Sequence, residues 1–225
     1  VQDANSHYLA LMLREQGVDL QRIWVVPDEF EDIAETVLQA KDRYDWIFTS
    51  GGVGPTHDDI TIEAVARALG KPLVVVPEIA RLLEPYKHEP GHDARMRMAM
   101  APEGYHLCAG RDLTFPVICV DNFFILPGVP EIFRKKIDAI RDVFVGERVS
   151  LTNLYLRELW ETDIAATLSE AVAAFAGIRI GSYPVMNQDD FTVRVTIESR
   201  DPDLVKRTVE FLLARIAPEK IFKVG

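Results

Sequence analysis

Apolar and polar positions switch between two periods along the first hundred residues, and each switch marks an element. In YLALMLREQG, Leu9, Met12 and Leu13 share a helical face, Asn5 or Ser6 is placed to cap it, and Gly17 to end it. LQRIWVV at 20–26 then reads as a strand ending at Pro27. Phe30, Ile33, Ala34, Val37 and Leu38 follow the stripe of an amphipathic helix, and the apolar run WIFT at 46–49 predicts another strand. Beyond a glycine-rich stretch, Val65, Ala66 and Leu69 predict a helix stopped by Gly70, and PLVVV at 72–76 is a short extended segment. Residues 77–115 are patterned more weakly, with helices around 78–87 and 93–100 joined by HEPGH. PVICVD and NFFILP resume the strands, and EIFRKKIDAIRDVF is a helix.

Alternation of this kind predicts an α/β fold, with a mostly parallel sheet sandwiched by helices and ligands bound beyond the carboxyl ends of the strands. Around Gly146 the rhythm changes. VSLTNLYLREL, IRIGSYP and FTVRVTIES read as strands, Asp163 to Phe175 and Pro202 to Ala217 as helices, and MNQDD as the turn of a hairpin. The expected division is a domain over 1–146 followed by a smaller α+β domain over 147–225.

Composition narrows the function classes. With 35 acidic against 25 basic residues the formal charge is −10, which argues against nucleic acid as the main partner. No apolar run approaches a membrane span of about 20 residues, and VQDANSHY is not a signal segment. The expectation is a cytoplasmic protein without a membrane partner. Cys108 and Cys119 are read as buried thiols without a chemical role.

Two stretches invite a chemical reading. HEPGH at 88–92 matches the letters of the H-E-x-x-H zinc motif, which works only when both histidines lie on one helical face. Pro90 and Gly91 oppose that helix, so the stretch is read as a loop or helix junction. SGGVGPTHDDIT at 50–61 is different, because its chemistry agrees with its position. Gly51, Gly52 and Gly54 follow a strand, where a tight turn brings backbone N–H groups close to a phosphate. Asp58, Asp59 and Thr61 come at the start of the next helix. On residue types alone, a phosphate cradle and a turn with helix caps are equally supported.

The residues of that stretch resemble the signature of the molybdenum-cofactor-biosynthesis (MoCF) family, which includes molybdopterin adenylyltransferases, the competence-damage-inducible proteins and the molybdopterin-binding region of FAD synthases. VQDANSHYLA, VVPDEFEDIAET, PEGYHL, LPGVPEIFRKK and IGSYP continue the likeness over nearly the whole chain. FPVICVDNFFILPGVPEIFRKK resembles the FAD-synthase branch, whereas AGRDLTFP replaces the Asn-Pro-x-Gly-Thr loop of the competence-damage branch. The second domain is similar to the small KH-like domain of the latter. Members begin with a strand and loop ahead of the QDxN segment; a chain starting at Val1 is expected to have lost them.

The resemblance implies a site. The backbone of Gly51, Gly52 and Gly54, with Thr56 and Thr61, would hold phosphate; Asp3 and Asn5 fall in the first ligand loop, and Pro127 and Gly128 in a proline-glycine turn that approaches the ligand, followed by Pro130 and Glu131. Asp59 and Asp28 align with functionally required acids. Together they imply a bound Mg, Mn or Co ion, with Asp58 either a third ligand or a solvent-exposed cap; on residue type alone Asp28 is equally placed as a helix N-cap for the stripe beginning at Phe30, and one residue can do both. His57 is either a phosphate contact or an exposed turn residue, and Arg134, Lys135 and Lys136 either attract phosphate or are solvated surface. The implied ligand is a phosphorylated pterin, molybdopterin among them, or a nucleotide. The implied activity is divalent-metal-dependent pyrophosphohydrolysis of ADP-ribose- or FAD-like dinucleotides. The alternatives are a non-catalytic molybdopterin-binding protein and an adenylyltransferase, the last disfavoured by the second domain and the GPTHDD variant. Relatives assemble as dimers or trimers, so a homo-oligomer is expected.

Overall fold

Asn5 is where the first helix starts: α1 spans Asn5–Glu15 and buries Leu9, Met12 and Leu13. The N-cap position is Ala4, and the side chain that satisfies the first free amides is Asp3, not Asn5 or Ser6 as the pattern suggested: Asp3 Oδ1 accepts from the backbone N–H groups of both Asn5 and Ser6. Gly17, at φ 76°, ends it. The structure is a computed structural model and describes residues 3–110, 113–186 and 190–225. The chain forms two compact units, Val1–Val145 and Gly146–Gly225.

LQRIWVV does not form the expected strand. Residues 18–27 carry no regular structure, and Val25 is 91% exposed. A strand is made by its neighbours as much as by its own propensity, and none of the described strands pairs with this one. Helix α2 (Phe30–Ala40) and strand β1 (Ile47–Ser50) follow as the periodicity predicts. So do α3 (Thr61–Ala68) and β2 (Leu73–Val75). The weak region resolves into α4 (Pro77–Leu83) and α5 (His92–Met96), each closing with a 3-10 turn, and then β3 (Met100–Pro102) and β4 (His106–Cys108). Gly91 adopts a left-handed φ of 84° immediately before α5. HEPGH is therefore a junction between helices.

β5 (Val117–Val120) and β6 (Phe123–Leu126) are buried throughout and lead to α6 (Pro130–Ile140). The main sheet has the order β1-β6-β5-β4. The α/β class holds, and the parallel pairing among the described strands is β1 with β6; β5–β6 and β4–β5 are antiparallel, and β2–β3 form a separate antiparallel pair. Cores line both faces of the sheet. Ile118, Val120, Phe123 and Ile125 pack with α2, α3 and α4 residues on one face. Val117, Cys119, Phe124 and Leu126 pack with α1 and α6 on the other, where Phe144 meets Trp46, Phe48 and Phe124 edge-on.

The second unit is a four-stranded antiparallel sheet with two helices. β7 (Ser150–Leu156), α7 (Glu161–Ala174), β8 (Arg179–Pro184), β9 (Val193–Ser199), α8 (Pro202–Leu213) and β10 (Ile221–Val224) follow in turn, with sheet order β10-β7-β9-β8. Trp160, exposed, stands just ahead of α7. Leu154, Leu156, Val193, Val195 and Ile197 face the helices, as period-2 alternation requires. β10 was not anticipated. Residues 187–189 of the MNQDD turn lie outside the described residues, as do Arg111 and Asp112 of AGRDLTFP. Among the described residues no helix is long and apolar enough to cross a membrane.

Candidate functional site

Because β1 and β6 run parallel, their carboxyl ends open at the same edge of the sheet. Ser50 leads into the glycine turn there, and Leu126 into Pro127 and Gly128. The two turns touch: Gly51 N–H donates to Leu126 O at 3.0 Å, and a Cβ on Gly128 would lie 3.2 Å from Gly51 Cα. Asn5 joins them from α1. Its Nδ2 donates to Ser50 Oγ at 2.9 Å and to Gly128 O at 2.8 Å, while Oδ1, buried, has no partner. A buried acceptor left unpaired is costly, and this one sits where three loop ends converge.

The glycine turn has little room for side chains. Gly52 has φ 65°, and a Cβ on it would collide with Thr61 Oγ1; Thr61 N–H donates to Gly52 O at 3.0 Å. On Gly54 a Cβ would stand 2.6 Å from Asp59 Oδ2. Asp59 is turned back into the loop. Its Oδ2 accepts from Thr56 N–H at 2.9 Å and from Thr56 Oγ1 at 2.6 Å, and Asp59 N–H returns a bond to Thr56 O. Asp59 therefore closes a turn; α3 begins only at Thr61. Burial pulls its carboxyl upward, but the Thr56 hydroxyl, the amides of Gly54 and Thr56 and the Arg97 guanidinium outweigh that and hold it below the usual carboxylate range.

The remaining candidates divide. Asp58 and His57 are exposed, their side chains 4.0 Å apart; the Thr56 hydroxyl lowers the Asp58 carboxyl. The Asp3 side chain satisfies the first amides of α1, and the Ser6 hydroxyl and amide lower it. Asp28 is exposed ahead of α2, whose N-cap is Glu29 without a side-chain cap bond, so the cap role does not hold. Pro130 is the first residue of α6, with Glu131 exposed in its first turn. The basic cluster splits up. Arg134 lies over the Tyr8 ring at 5.1 Å, Lys135 is exposed, and Lys136 Nζ donates to Phe115 O at 2.9 Å and Pro116 O at 2.8 Å. Removal from water pulls the Lys136 ammonium down to about 8. Lys136 thus ties α6 to the loop before β5.

Among the described residues, Asp28, Asp58 and Asp59 do not gather into a set with all ligand oxygens within 4.8 Å. Asp59 is engaged by Thr56, and Asp28 and Asp58 are exposed. Sequence reasoning missed Ser50, which anchors Asn5, and Arg97, whose guanidinium donates to Asp59 O at 3.4 Å. Ser50 opens the glycine stretch and was legible there; Arg97 lies in DARMRMAM, where no periodicity singles it out.

Sheet, glycine turn and proline-glycine turn together make an α/β domain whose two turns meet at the carboxyl end of a parallel strand pair, the edge at which sheets of this class bind their ligands. Residues 1–143 match the family described as "Probable molybdopterin binding domain", and residues 148–224 match the middle domain of FAD synthase. The chain belongs to the molybdopterin-binding, or MoCF, family. It is 30% identical to a probable FAD synthase of Caenorhabditis elegans, over 98% of this chain and 48% of that protein. It is 31% identical to a protein of Pyrococcus abyssi, over 95% of this chain and 90% of that one. The crystal structure of CinA from Thermoplasma acidophilum, a protein described as of unknown function, superposes with a TM-score of 0.57 at 26% identity, covering 64% of this chain and 89% of that one. The chain spans about half the length of the nematode FAD synthases it matches.

Proposed function

We propose that the chain binds a phosphorylated pterin or nucleotide at the joined ends of β1 and β6, with the phosphate against Gly51, Gly52 and Gly54. The observation that carries this is the convergence of the two turns on Asn5, whose buried Oδ1 is an unpaired acceptor beside a loop that leaves no space for side chains. The Arg97 guanidinium and the backbone amides offset the acidity of the chain as a whole. Equilibrium binding of AMP, ADP-ribose and FAD tests the reading. Affinity for at least one of them supports it, and none for these or for a phosphorylated pterin overturns it.

A second reading, hydrolysis of the pyrophosphate in an FAD- or ADP-ribose-like dinucleotide, is favoured by Asp59, held ionised beside the cradle. AMP release with Mg, Mn or Co present is expected to fall on the order of 10²-fold in Asp59→Asn, with the far-ultraviolet dichroism unchanged because the amide oxygen still accepts from Thr56. Binding without turnover under every metal sets that reading aside and leaves the first intact. Assembly as a dimer or trimer belongs to the same proposal, and sedimentation reads it directly.

A further inference from the structure

At the sheet edge opposite β1, strand β4 pairs antiparallel with β5, and His106 stands directly across from Cys119 while Cys108 faces Val117. Side chains on one face of a sheet recur every second residue. His106, Cys108 and Cys119 therefore project from the same face, and their ligand atoms all lie within 4.8 Å of one another. Among the described residues no other group of three histidine, cysteine or carboxylate side chains is so close. The two sulfurs are 3.1 Å apart, and both cysteines are free.

We propose that His106, Cys108 and Cys119 bind one zinc ion. Two thiolates and an imidazole are the donors that select zinc over magnesium or calcium. Zinc is held tetrahedrally at about 2.3 Å from sulfur and about 2.0 Å from nitrogen, which asks the sulfurs to open to about 3.8 Å, less than a bond length of movement. Binding releases one proton from each thiol and gives two zinc–sulfur bonds, so the dication and two thiolates cancel in charge. That neutrality suits the floor of the site, where Cys119 is fully buried in the apolar core with Phe133 and Ile137. The rim is open: Cys108 is half-buried and His106 exposed, so the ion has an entry path and a fourth position for water or an added ligand. A disulfide between the same cysteines would leave His106 idle. The third donor is what distinguishes the two.

The test uses the reduced, chelator-treated chain and cobalt(II) as a coloured stand-in for zinc. The expected result is a thiolate-to-cobalt charge-transfer band that saturates at one ion per chain and is abolished by added zinc. Cys108→Ser should lose most of the band, and His106→Ala should weaken affinity at least tenfold and shift the ligand-field bands. Neither position is fully buried, so both variants are expected to fold, and far-ultraviolet dichroism checks that they do. Absence of the band at millimolar cobalt overturns the proposal. So does unchanged affinity in His106→Ala, which would mean two thiols binding adventitiously.

Discussion

At Gly54 a single missing carbon decides a geometry. Alanine there would drive its methyl into Asp59 Oδ2, whose two bonds to Thr56 close the turn. Gly54→Ala is expected to cost about 1–3 kcal/mol, as overpacking does, and to weaken nucleotide binding at least tenfold, read by thermal unfolding and titration. Lys136 gives a pH signature instead. Its folded-state value of about 8 lies below the ordinary 10.5. Between those values the unfolded chain holds a proton that the folded one has released, so stability rises with pH across that window. Below about pH 8 both states are charged and the burial cost is fully present. Urea midpoints should therefore climb from about pH 8 to 10 in the wild type and less in Lys136→Met.

Several elements whose partners lie within the described sheets were legible in the sequence, while β3 and β4, in a stretch read as helices and a loop, were not. β5 and β6 read as apolar runs because both faces are covered, and β7, β8 and β9 alternated because only one is packed against helices. LQRIWVV had the composition of a strand, but pairing is not written in composition. β10 failed the other way: IFKV is too short to announce itself and is a strand because β7 lies beside it. The glycine turn was readable as motif and position together, whereas the direction of Asp59, turned back to Thr56, depends on φ and ψ that no residue type dictates. Asp28 shows the same limit, since alignment with a required acid does not place its side chain. If residues 20–26 carry no ladder, Val25→Lys should leave stability within about 0.5 kcal/mol. A loss of several kcal/mol on chemical denaturation would mean the segment is packed.

On the scale of the whole molecule, each unit has its own core and so its own reason to fold. Leu156 is fully buried in the second unit, and Leu156→Ala is expected to cost that unit about 2–5 kcal/mol. Hydrogen exchange should show protection falling in 146–225 and unchanged in 3–145; a uniform loss would mean the two unfold as one. The same separation decides how the protein can be watched. Trp46, packed edge-on to Phe144 at 5.9 Å, belongs to the first unit, and exposed Trp160 to the second. An indole already in water scarcely changes colour when its surroundings melt, while one wedged among phenylalanines does. Intrinsic fluorescence, to which Trp24 of the first unit also contributes, therefore reports that unit almost alone, and a ligand that stabilises it should delay the optical transition and leave the melting of the other unit where it was.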